Sequence, residues 1–173
     1  DYIASTHRGH GHLVAKGAIC DPELTYGLPP KLTAATGMDA VAHCIETYLS
    51  KAVNPPADAI AYDGLARALK HIETAVNEPR NPVGRWNMMS ASMQGALAFQ
   101  KGLGAVHSLS HALGGLKLAG GQGPHHGTLN AVLLPEVVKY NETAVPERVE
   151  AVAYAFGVRG GAALGFAVAQ SFR

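Results

Sequence analysis

The chain has 173 residues, a hydrophobic fraction of 47% and a formal charge of +1 from 14 basic and 13 acidic side chains, the size and composition of one globular domain with a substantial apolar interior. Its basic residues are scattered, which argues against nucleic-acid and membrane-surface partners and leaves small neutral or mildly charged molecules. No apolar run reaches the roughly 20 residues of a spanning helix and no leader-like segment opens the chain, so neither membrane insertion nor secretion is expected.

Residues 1–31 read as a short extended N-terminal lead-in followed by loops, with one apolar patch from Lys16 to Cys20 among prolines and glycines. His7, His10 and His12 lie there, interleaved with glycine, and a mobile polar terminus explains them without a specific role. Cys20 and Cys44 form no CxxC element and read as reduced, buried thiols of a cytoplasmic protein. From Leu32 the texture turns helical: Thr33 is placed to cap, and Ala34, Met38, Val41, Ala42, Ile45 and Leu49 recur at helical spacing. Asn54-Pro55-Pro56 then breaks the chain before a second helix, from about Ala57 to Val76, in which His71 reads as a solvated surface residue. A third helix is predicted from about Val83 to Gln100, with Trp86, Met89, Met93 and Leu97 as a stripe assigned to the core.

Gly102 and Gly104 precede a fourth helix that carries His107 and His111 and ends near Gly114-Gly115. After the loop KLAGGQGPHH, the stretch from Asn130 to Tyr140 reads as an apolar helix interrupted by Pro135, and Pro146 to Phe156 as another opened by its proline. The remaining Gly-rich tail has no cap, and the domain is expected to be truncated. Strand signals are almost absent, so the predicted class is all-α: a helical, bundle-like domain over residues 32–173.

Two pairs in these helices point to chemistry. Asp39 and His43 are four residues apart, as are His107 and His111, and residues so spaced share a helix face with Cβ atoms roughly 5–6 Å apart, close enough to reach one ion. His125 or His126 closes the sphere from a loop. Mixed nitrogen and oxygen ligands suit Zn²⁺ or Fe²⁺ rather than Ca²⁺ or Mg²⁺ and leave iron against zinc open. Asp39 stands among Met38, Ala40 and Val41, where a buried carboxylate needs a partner; the alternative is that it helps cap its helix. Glu46, three residues after His43, is the near carboxylate that a metal-dependent hydrolase would use as a base, and it is expected instead to hydrogen-bond or face solvent.

The segments AICDPELTYGLPPKLTAATGMDAVAHCIETYLS, GLGAVHSLSHALGG and PHHGTLNAVLLP together resemble the iron-containing (group III) alcohol dehydrogenase family, from Ala18 to Asn141. The resemblance implies a dehydroquinate-synthase-like helical domain with Asp39, His43, His107 and His126 as metal ligands and His111 beside them as a proton-transfer residue. It further implies Fe²⁺ or Zn²⁺, NAD or NADP, and hydride transfer between a small-molecule alcohol and its aldehyde in a cytoplasmic enzyme, a homo-oligomer when complete. The stretch from His111 to His126 is several residues longer than is usual in the family, which keeps His125 open as an alternative ligand. Nothing matches the family's Gly-rich nucleotide-binding half, so that domain is expected to be absent and the isolated chain inactive. Two other classes are a non-catalytic metal-binding helical module and a zinc polyol dehydrogenase or dehydroquinate-synthase-like enzyme.

Overall fold

The structure, a computed structural model, describes residues 16–116 and 123–170; His7, His10, His12 and most of the KLAGGQG insertion lie outside them. Among the described residues a 3₁₀ turn at Pro22–Thr25 is followed by seven helices: α1 Pro30–Leu49, α2 Pro55–Asn77, α3 Pro82–Ala98, α4 Ala105–Gly114, α5 His126–Glu142, α6 Pro146–Ala155 and α7 Gly161–Gln170, with a 3₁₀ turn at Phe99–Lys101 between α3 and α4. There is no strand among the described residues. The class is all-α, as the sequence predicts.

Proline starts several helices because its fixed φ suits the first turn and its missing N–H is unpaired there anyway. Asn54 caps α2, its Oδ1 accepting from Ala57 N–H at 3.3 Å, and Asn81 caps α3 by accepting from Gly84 N–H at 3.0 Å. Thr33 does not cap α1. The helix begins earlier, at Pro30, and Thr33 is buried with its hydroxyl accepting from Arg85 Nη1 at 3.1 Å. Pro135 does not interrupt α5 either. Its ring displaces one backbone hydrogen bond, but it is buried in the packing of α5, where Gly165 of α7 comes so close that a Cβ would lie 3.0 Å from the Pro135 carbonyl oxygen.

α1 is the central element. Val41, Ala42, Cys44 and Ile45 have no exposed surface and join Leu65 of α2, Val106 of α4, Leu134 and Val138 of α5, Val149 and Val152 of α6 and Leu164 and Val168 of α7 in one core. Burial pushes the Cys44 thiol up to about 12, an inert group; Cys20, expected buried, is exposed, and His71 is half-buried rather than solvated.

The α3 stripe faces the other way from the expectation. Trp86, Met93 and Leu97 are 54%, 43% and 59% exposed, whereas Gly84, Arg85, Met88, Ala91, Gly95 and Ala98 form the buried face. Both faces have helical spacing, so periodicity alone cannot choose between them. Close approach decides it: a Cβ at Gly95 would lie 3.0 Å from His43 Cβ, and one at Gly84 3.2 Å from Ala75 N. At Gly84 and Gly95 only a small residue fits, and Trp86, Met93 and Leu97 are left outside, where the Arg67 guanidinium lies 5.6 Å over the Trp86 ring.

A buried cation locks the far end of α1. Lys101, whose side chain has no exposed surface, donates to Thr47 O at 3.1 Å and pairs with Asp58, which also sits 3.1 Å from Arg148 Nη1. Burial opposes ionisation of Asp58, but the bonds from Lys101 and Arg148 outweigh it and hold the carboxyl below its usual value of 3.8. A carboxyl so lowered adds stability above its unfolded pKa and loses it as pH falls through the folded value. Asp58→Ala is therefore expected to cost about 3 kcal/mol at pH 7, since it strands a buried ammonium. In urea melts the gap between variant and wild type should close below about pH 4; a gap independent of pH would refute the pairing.

Candidate metal centre

α1 sends Asp39, His43 and Glu46 toward the start of α4 and the start of α5. Asp39 lies mid-helix, which removes the capping alternative. The insertion ends so that His125 is the N-cap of α5 and exposed, while His126, the first residue of that helix, turns inward. Gly127 behind it lets α5 touch α1, for a Cβ there would overlap the Ala35 carbonyl.

One oxygen and two nitrogens converge. Asp39 Oδ1 is 3.5 Å from His107 Nε2 and 3.4 Å from His126 Nε2, and ligand atoms of these three residues all lie within 4.8 Å of one another. His43 stands at the edge of this trio, its Nδ1 3.8 Å from Asp39 Oδ2 and its ring centroid 4.4 Å from that of His107. Phe99 stacks on the His43 ring at 5.5 Å. His111 is exposed, with its ring 5.0 Å from His126 and 6.2 Å from His107. The structure thus brings Asp39, His107 and His126 together, with His43 and His111 beside them and His125 exposed.

Two further side chains contribute: Asn130, which the sequence reading does not single out, and Glu46, which it expects to hydrogen-bond or face solvent. Asn130, one turn after His126, directs its Nδ2 to the middle of the trio: 2.5 Å from Asp39 Oδ1, 3.2 Å from His107 Nε2 and 3.1 Å from His126 Nε2. Its own Oδ1 is buried without a partner. The i, i+4 spacing from His126 was the available signal. Glu46 is the second. It is buried, and it accepts from Val106 N–H at 2.7 Å, from His107 N–H at 3.1 Å and from the His107 ring at Nδ1, 2.7 Å away. So occupied, it is not free to act as a hydrolytic base.

The charges fit a cation. Burial works against ionising Asp39, yet His107, His43, His126 and Asn130 together hold its carboxyl below 3.8. Burial lowers His43 and His126, which keeps their lone pairs free. Burial also acts against a charge on His107, but Asp39 and Glu46 raise it to about 9, so its Nε2 must lose a proton before it can ligate. With that proton gone, three acceptor atoms face an amide nitrogen that carries only two hydrogens. Such a set accommodates a divalent ion of the iron or zinc type.

Residues 33–169 match the Fe-containing alcohol dehydrogenase family, C-terminal. The chain belongs to that family. It is 66% identical to the 4-hydroxybutyrate dehydrogenase of Cupriavidus necator over 133 residues, covering 77% of this chain and 35% of that protein. It is 43% identical to the 1,3-propanediol dehydrogenase of Klebsiella pneumoniae over 141 residues, 81% of this chain and 35% of the relative. Among solved structures, the sulfoacetaldehyde reductase of Bifidobacterium kashiwanohense in complex with NAD⁺ superposes with a TM-score of 0.77 at 33% identity, over 87% of this chain and 39% of that one. The chain therefore spans about a third of the length of the curated relatives it matches. Within the iron-containing alcohol dehydrogenases it corresponds to the helical C-terminal part, and its metal-site candidates all fall inside the matched stretch.

Proposed function

We propose that these residues form the metal-binding helical part of an NAD(P)-linked alcohol dehydrogenase, which transfers hydride between a small alcohol and its aldehyde. The observation that carries this reading is the convergence of Asp39 Oδ1, His107 Nε2 and His126 Nε2 on one point. Asp39, His43, His107 and His126 would hold the ion, Fe²⁺ or Zn²⁺, through one carboxylate and three imidazoles. When bound, such an ion supplies Lewis acidity toward the substrate oxygen without changing its own redox state.

The chain's own groups do the rest. Phe99 holds the His43 ring by stacking, and the hydrogen bonds and histidines around Asp39 outweigh its burial and hold its carboxyl below 3.8. His111, exposed beside the cluster, is placed to carry the alcohol proton to solvent. The names of the two curated relatives favour a small primary alcohol, and the neighbouring NAD⁺ complex favours NAD. A cytoplasmic location and a homo-oligomeric complete enzyme belong to the same reading. Among the described residues no helix is long and apolar enough to cross a membrane.

The test is alcohol-dependent formation of NADH or NADPH by a full-length enzyme containing these residues, with and without Fe²⁺ or Zn²⁺. Metal-dependent turnover is expected there and none from the isolated chain; a full-length enzyme indifferent to chelators would overturn the reading. In that enzyme His111→Ala should leave ion affinity unchanged and lower kcat by about a hundred-fold or more, the usual range for losing a proton relay. Loss of the ion in that variant would instead make His111 a ligand.

A further inference from the structure

We propose that Glu46 is a positioning residue: its carboxylate fixes the His107 ring with the proton on Nδ1 and so turns the Nε2 lone pair toward Asp39 and His126. The proposal rests on reading this cluster as a metal centre and adds a residue that does not touch the ion.

Three donors meet two oxygens at Glu46. Val106 N–H reaches Oε1 at 2.7 Å, while His107 N–H at 3.1 Å and the His107 ring at 2.7 Å share Oε2. The Glu46 and His107 side chains are only 2% and 4% exposed, so water does not offer a substitute partner. An ionised carboxylate is acceptor-only, and a neutral imidazole carries one N–H. With that N–H at Nδ1 facing Glu46, Nε2 is left as the acceptor facing Asp39 Oδ1 at 3.5 Å and Asn130 Nδ2 at 3.2 Å. The opposite tautomer would set a lone pair against the carboxylate and a hydrogen into the cluster.

The local chain is built for this contact. Glu46 projects from the last turn of the central helix to the first turn of α4, where unpaired N–H groups and the helix dipole favour a negative charge. Gly104, at the N-cap of α4, leaves the space: a Cβ there would lie 2.5 Å from Glu46 Oε1. One carboxylate thereby starts the helix and orients the histidine it carries. Groups that orient a ligand histidine through its second nitrogen typically change metal affinity by about 10- to 100-fold when removed.

Glu46→Gln is the decisive variant, because the side chain keeps its shape but has one acceptor oxygen for three donors. Nitrogen-15 NMR of the metal-free chain, with the pH raised until the His107 ring signals stop shifting, should show the Nδ1–H form in wild type and its loss in the variant. Zinc titration should show affinity falling about 10- to 100-fold in Glu46→Gln. A wild-type His107 protonated at Nε2 would overturn the proposal. So would a variant that keeps the wild-type tautomer and zinc affinity and merely melts lower, for Glu46 would then be a helix cap alone. If wild type takes up no zinc, the metal-centre reading falls, while the ring proton still decides the role of Glu46.

Discussion

His107→Ala is expected to abolish tight binding of a divalent ion, and Asp39→Ala to do the same. These two side chains supply the most buried nitrogen and the carboxylate oxygen of the trio. A four-ligand zinc site of this kind is worth roughly 10–16 kcal/mol, so one ligand accounts for about 3 kcal/mol, more than about a hundred-fold in affinity. His107→Ala should also lower the melting temperature, because it leaves the buried Glu46 carboxylate with only its two backbone donors. His125→Ala is the control: that residue is exposed at the N-cap of α5, and its loss should leave affinity as in wild type. Competitive zinc titration separates these cases. Unchanged affinity in both His107→Ala and Asp39→Ala would remove the assignment.

Gly127→Ala should be the most damaging single methyl group in the chain. The added Cβ would overlap the Ala35 carbonyl oxygen and lie 2.7 Å from its carbon, with Thr36 N at 3.4 Å. These are backbone atoms of α1, which cannot rotate away as a side-chain tip can. The helices must separate, at a cost of about 3 kcal/mol or more. Because Gly127 follows His126 directly, the separation also draws His126 from Asp39, now 3.4 Å away between Nε2 and Oδ1. Denaturant unfolding should therefore show a lowered midpoint, and the same protein should bind zinc more weakly. A variant as stable as wild type would show that α1 and α5 do not meet at this point.

Much of the site was legible from spacing alone. Asp39 with His43 and His107 with His111 announce themselves because a four-residue repeat puts both members on one helix face. The choice between His125 and His126 was not legible, since it depends on where α5 begins, and an inserted loop hides that boundary. Glu46 and Asn130 were missed in their roles because these exist only across elements: Glu46 is 61 residues from His107 and Asn130 is 91 from Asp39.

The fold was read in the same uneven way. Helix order and class follow from apolar periodicity, but the face α3 buries is set by how closely α1 approaches it. The apolar stripe of Trp86, Met89, Met93 and Leu97 points inward by helical spacing, whereas the narrow gap at Gly95 and Gly84 admits only small side chains there. Pro135 was read as a break on propensity, whereas packing against its neighbours holds α5 continuous.

X-ray absorption spectroscopy of the zinc-loaded chain tests the central claim most directly. A single ion per chain is predicted, with four nitrogen and oxygen neighbours at about 2.0–2.1 Å and the multiple-scattering signature of three imidazoles. An oxygen-only shell, or a stoichiometry unaffected by removing His107, would contradict a centre built by Asp39, His43, His107 and His126.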